Sequence, residues 1–198
     1  MKTLGITGGI GSGKTTVCKI LEKRGALVFY ADIEAKRIQV EDPEARAEIE
    51  QVFGTASYLP DGSLNRAFLA QQVFSDASKM RLLNGIVHPR VRKALLDKKK
   101  CAKNAGYPLL VYEAALIFET GGEDVVDAVL VVDAPTLDRI QRVQTRDGST
   151  VEQVEVRIKN QLSSDEMRRR ADFVIENKGN LIELEEQVIR FWKQFVEP

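Results

Sequence analysis

The chain has 198 residues, 43% of them apolar and 29% charged, which suits one sizeable soluble domain with insertions. Lys plus Arg equals Asp plus Glu at 29 each, so no broad affinity for nucleic acid or an anionic membrane is expected, and any anion must meet a local cluster. Two cysteines, Cys18 and Cys101, cannot build a disulfide framework, no Cys/His cluster suggests a metal site, and no apolar run approaches the roughly 20 residues of a membrane helix.

Residues 2–7 read as a strand that runs straight into a glycine loop, so this opening is a strand and not a leader peptide. With reduced thiols this points to a cytoplasmic protein. Residues 15–24 predict a helix with Val17, Ile20 and Leu21 on one face and Gly25 as its stop. Residues 26–30, ALVFY, are continuously apolar and predict a strand buried on both sides. Residues 109–112 and 128–132 predict two more such strands, and residues 173–175 a shorter one. Leu181, Leu184, Val188, Phe191 and Phe195 make one face of a closing helix, with Trp192 packing beside them. Strands alternating with helices indicate a three-layer α/β fold with a parallel sheet.

Two segments break the alternation. Residues 43–106 predict several helices around a turn at Pro60-Asp61-Gly62, which is too long for one crossover. Residues 142–170 are rich in Arg, Gln and acids and read as an exposed helical hairpin. The expected division is a core of 1–42, 107–141 and 171–198, a helical insertion of 43–106 and a lid of 142–170.

Gly8-x4-Gly13-Lys14-Thr15 fits the phosphate-loop pattern, with a strand before it and an amphipathic helix after it. Glycines let the backbone wrap a phosphate closely. The amides of Gly9, Gly11, Ser12, Gly13, Lys14, Thr15 and Thr16 then lead into a helix N-terminus that attracts the anion. Lys14 would meet the β/γ phosphates, and the Thr15 hydroxyl would hold Mg²⁺.

A GTPase switch is disfavoured. Its guanine reader N-K-x-D meets Asn177-Lys178-Gly179-Asn180, where an amide stands for the required carboxylate, and no glycine has Asp three residues before it. That stretch is read as a turn. A small-molecule kinase needs an acid by the loop, an acceptor pocket and closing arginines. Asp32 follows the second strand, at the carboxyl edge where ligands bind; it is either such an acid or the N-cap of a helix over 33–39. Glu113 ends LLVY as a Walker-B-like acid or substrate contact, and Arg139, Arg142 and Arg146 recur at helical spacing.

These residues resemble the dephospho-CoA kinase family. The resemblance rests on TGGIGSGK at 7–14, Ala31-Asp32 (with Tyr30 where the family shows Asp), DGSLNR at 61–66, LNGIVHP at 83–89 and LIFE at 116–119. It continues through Arg142, Arg146, Arg157, Ile158, Gln161, Arg168, Ala171, Asp172 and VIEN at 174–177. Ala115 stands where the family commonly has Pro. The resemblance implies ATP-dependent phosphorylation of the ribose 3′-hydroxyl of dephospho-CoA, giving CoA and ADP. It implies Mg²⁺, ATP and dephospho-CoA as the partners, the insertion as a CoA-binding part and Asp32 as general base. Arg142 and Arg146 become ATP contacts, and Arg66, His88, Glu113 and Leu116 acceptor contacts, with His88-Pro89 also read as a helix start. The alternative is a nucleoside or nucleoside-monophosphate kinase. Lys98, Lys99 and Lys100 are read as a solvated face, the alternative being a weak site for the substrate's diphosphate, and Arg168, Arg169 and Arg170 as either a solvated face or a site contact.

Overall fold

A computed structural model describes residues 1–74 and 76–197. Strand β1 (Lys2–Thr7) passes through the glycine loop to α1 (Lys14–Glu22), β2 (Leu27–Tyr30), α2 (Ala31–Glu41) and α3 (Pro43–Phe53). Helices α4 (Arg66–Phe74) and α5 (Ala77–Asn104) precede β3 (Leu109–Glu113) and β4 (Ala128–Asp133). Helices α6 (Thr136–Asp147), α7 (Val151–Lys159) and α8 (Ser164–Arg170) lead to β5 (Phe173–Glu176) and α9 (Leu181–Phe195).

The five strands pair in parallel in the order β2-β3-β1-β4-β5, an α/β sheet as the strand–helix alternation predicts. The order reverses at β1, which lies between β3 and β4. Open α/β sheets bind ligands outside the carboxyl ends of the strands at such a reversal. One sheet face carries Leu4, Ile6, Val111, Leu130 and Val132, packed on Val17 and Leu21 of α1 and Leu184, Val188 and Phe191 of α9. Trp192 is buried in the same cluster. Leu181, however, is 59% exposed, and the buried stripe of α9 begins at Leu184. On the other face a Cβ at Gly5 would press on Ile117 and Val126, so glycine lets that cover lie close.

Edge position corrects one expectation. β2 has a single strand neighbour, and of its residues only Phe29 is buried, so ALVFY is not sandwiched like the central strands.

The chain divides into two compact units: residues 1–30 together with the chain from Lys99 onward, and Ala31–Lys98. Helix α2 therefore belongs with the helical unit, which starts earlier than residue 43. In that unit Asp42 caps α3 by accepting from the Ala45 amide at 2.9 Å, with Pro43 in the first turn. Ile38, Ala45, Ile49, Phe53 and Leu69 are buried. The DGSLNR stretch is a tight turn closed by a bridge between Tyr58 and Leu64. Asp61 accepts from the Ser63 amide at 2.9 Å and its hydroxyl at 2.7 Å, and the Leu59 amide donates to the Ser63 carbonyl at 2.8 Å. His88-Pro89 is not a helix start: Pro89 lies inside α5. Proline removes one helical hydrogen bond and crowds the carbonyl four residues back. That carbonyl belongs to Gly85, around whose missing Cβ nothing lies within 4 Å.

Candidate active site

The phosphate loop is built by close approach. Gly8 has φ +146° and Gly13 +101°, values that L side chains rarely adopt, and a Cβ at Gly8 would overlap the Val132 carbonyl. A Cβ at Gly13 would overlap the Asn177 carboxamide, and one at Gly9 the Arg139 guanidinium. The Ser12 amide donates to the Gly9 carbonyl at 3.0 Å, while the Ser12 hydroxyl is buried without a hydrogen-bond partner. Lys14 folds back over the loop, its Nζ donating to the carbonyls of Gly8 at 2.9 Å and Gly9 at 3.4 Å. Thr15 is exposed and Thr16 half-buried on the first turn of α1, where the Thr16 amide donates to the Gly13 carbonyl at 3.0 Å and no side chain caps the helix.

Residues from the far half of the chain brace this loop. Asn177, directly after β5 and buried, donates its side-chain amide to the Ser12 carbonyl at 2.8 Å. Its backbone amide donates to Asp133 at 2.7 Å. Arg142 donates to the Gly11 carbonyl at 3.5 Å and the Asn177 carbonyl at 3.3 Å. Arg139, the first of the three arginines at helical spacing, is only 3% exposed. It donates to the Ile10 carbonyl at 3.0 Å and the Ser164 hydroxyl at 3.4 Å. Burial pulls its pKa down, opposed by the charge of Asp133. Arg146 turns elsewhere: it is exposed and pairs with Asp147 at 2.6 Å.

The segment 142–170 is less exposed than its composition suggests. Val143 and Val154 are buried with Ile140, and Ile10 of the phosphate loop packs on this small cluster. The arginine run at its end is engaged throughout. Arg168 bridges Asp133 at 2.9 Å and Glu176 at 3.0 Å, Arg169 pairs with Glu166, and Arg170 pairs with Glu123 while lying over the Phe118 ring. A cavity of about 300 Å³ opens where β4 and β5 end, lined by Asp133, Ala134, Pro135, Thr136, Ser164, Glu176 and Lys178.

A family model described as dephospho-CoA kinase matches residues 2–183. The chain belongs to the dephospho-CoA kinase family. A dephospho-CoA kinase of Salinibacter ruber is 53% identical over 93% of this chain and 92% of its own. A solved structure from Thermus thermophilus superposes with a TM-score of 0.84 at 34% identity, covering 98% of this chain and 97% of its own. A dephospho-CoA kinase from Campylobacter jejuni shares the fold, with a TM-score of 0.74 at 22% identity over 98% of this chain and 97% of its own. The chain is thus a kinase with a P-loop α/β fold, and the GTPase reading falls. Asn180, the near-miss to a guanine reader, instead caps α9 by accepting from the amides of Ile182 at 2.9 Å and Glu183 at 3.1 Å.

Glu113 is buried at the carboxyl end of β3, in register with Ile6 and with Tyr30. Leu116 is exposed in the segment after it. In the helical unit Asp32 is exposed as the second residue of α2, inside the first turn and not its N-cap. Arg66 is exposed as the first residue of α4, after the DGSLNR turn. His88 is exposed midway along α5. Two loop-bracing roles escape sequence reasoning. Asn177 is quoted in VIEN but read there only as a turn, and Arg139 is read as a closing arginine, not as a brace beneath the loop. An amide placed directly after a strand in VIEN is the one local signal for the first, and nothing local marks the second.

No helix is long and apolar enough to cross a membrane among the described residues.

Proposed function

We propose that the chain transfers the γ-phosphoryl group of ATP to the ribose 3′-hydroxyl of dephospho-CoA in the cytoplasm, releasing CoA and ADP. The observation that carries this is the phosphate loop of a kinase in a chain whose family is dephospho-CoA kinase. Loop amides and Lys14 hold the β/γ phosphates, and the buried positive charge of Arg139 adds to the potential beneath them. Arg142, already on the loop carbonyl of Gly11, contacts the phosphates and Arg146 approaches when segment 142–170 acts as a lid.

Asp32 takes or orients the 3′-hydroxyl proton. Its place just after the end of β2 and its solvent-exposed carboxylate support that role. Arg66, His88, Glu113 and Leu116 make the acceptor contacts, and the helical unit carries the CoA-binding part. The exposed Thr15 hydroxyl is a hard oxygen donor on the first turn of α1, which fits Mg²⁺, a metal held by few protein ligands beside substrate phosphates. When bound, Mg²⁺ neutralises phosphate charge.

One assay separates the acceptors. Mg-ATP is supplied with dephospho-CoA, adenosine, AMP, UMP or CMP in parallel. Dephospho-CoA alone should yield phosphorylated product; turnover of a nucleoside or nucleotide in its place would reassign the acceptor.

A further inference from the structure

The connector between α7 and α8 grips two separate parts of the first unit at once. The Gln161 side-chain carbonyl accepts from the Ile10 amide at 2.8 Å, and its Nε2 donates to the Ala115 carbonyl at 3.2 Å. The next amide, Leu162, donates to Glu119 at 3.0 Å. Ile10 sits at the tip of the phosphate loop and is held on every side: its amide by Gln161, its carbonyl by Arg139 and its side chain by the Ile140–Val143–Val154 cluster.

The chemistry of this clasp selects a carboxamide. The contact at Ile10 needs an acceptor and the contact at Ala115 needs a donor, and glutamine presents both from one planar group. Glutamate would keep the acceptor, lose the donor and bring a negative charge to a phosphate site. Lysine or arginine would donate to Ala115 but leave the Ile10 amide unmatched. Phosphate loops act through amides fixed before the ligand arrives, so the tip must not drift.

We propose that Gln161 is a positioning residue that fixes the phosphate-loop tip and ties it to the segment after β3. It acts through Ile10 and touches no reacting atom. The assignment rests on residues 8–15 being the ATP site. It also gives the connector between α7 and α8 a fixed point on the loop.

The test uses the full chain and two variants. Gln161→Met has similar size and makes neither bond; Gln161→Glu keeps only the acceptor. Losing the clasp should raise the KM for ATP about 3- to 10-fold, the range of one or two net hydrogen bonds, while the KM for dephospho-CoA stays near wild type and the Tm falls by no more than about 2–4 °C. Hydrogen exchange at the Ile10 amide should be protected in the wild type and in Gln161→Glu, and fast in Gln161→Met. Wild-type ATP kinetics in Gln161→Met would overturn the proposal, as would a uniform loss of all constants together with Tm, the signature of a merely structural residue. If Gln161→Met fails to fold, the wild-type Ile10 amide decides: exchange as fast as a free loop amide means that no clasp exists. A wild-type protein that binds no ATP while Ile10 stays protected would overturn the ATP-site reading and leave the clasp standing.

Discussion

The Asn177 carboxamide donates to the Ser12 carbonyl at 2.8 Å beside a glycine, Gly13, that leaves it room. Asn177→Ala strands a buried acceptor, which costs about 1–3 kcal/mol. Urea unfolding should show that loss together with a raised KM for ATP; unchanged stability would mean that the Ser12 carbonyl is satisfied another way. Asp32 offers a cleaner separation of binding from chemistry. Asp32→Asn keeps shape and hydrogen-bonding reach but removes the base, so kcat should fall about 100- to 10,000-fold with ATP binding intact. Turnover near wild type in that variant would remove Asp32 from the mechanism. Cys18 is a bland neighbour of all this: burial pushes its thiol well up, so it stays protonated and inert on the buried face of α1.

At the level of elements, the α6–α7 corner holds the arginines of the expected lid. Gly148 ends α6 in the left-handed conformation, and Thr150 caps α7 in a reciprocal capping box with Gln153. Between them Asp147 takes Arg146 at 2.6 Å and Arg157 at 3.2 Å, and these two guanidiniums hold its carboxyl down to about 2. The sign follows from linkage. A carboxyl whose folded pKa lies below its ordinary 3.8 stabilises the fold above that value and loses the contribution as pH falls towards about 2. Asp147→Asn should therefore lower stability above about pH 4, converge on the wild type as pH falls towards about 2 and so flatten the acid limb between those values, as acid titration followed by circular dichroism would record. An acid limb identical to wild type would show that the pair is screened away by solvent, the common fate of exposed ion pairs.

For the whole molecule, a ligand that binds only the folded chain stabilises it by mass action. Mg-ATP at about 100 times its Kd should add about 2.7 kcal/mol, seen as a rise in Tm. Lys14→Ala should shrink that rise, because it removes the cation folded over the loop. Chelating the metal should shrink it too, if Thr15 and the phosphates share Mg²⁺. A full shift in Lys14→Ala would move the phosphate site away from the loop.

Much of this architecture is legible in the chain order. The strands at β1, β3, β4 and β5 and the phosphate loop are local patterns: apolar runs, glycine spacing and a capped helix report themselves within a few residues. DGSLNR is legible for the same reason, since Asp61 and Ser63 close their own turn. ALVFY misleads because an apolar run does not say whether a strand has one neighbour or two. Pro89 misleads because proline opens helices more often than it interrupts them, and only the continuous helix from Ala77 to Asn104 shows it in the interior.

The sequence by itself determined the parallel α/β class, the grip on phosphate and the family, because these depend on residue types at short, fixed spacings. Only the tertiary structure decided that Arg139 is buried against Gly9, that Asn177 holds Ser12 and that Gln161 joins Ile10 to Ala115. Those contacts join residues far apart in the chain. The sheet order brings them together by setting β4 beside β1, and β5 beside β4, at one carboxyl edge.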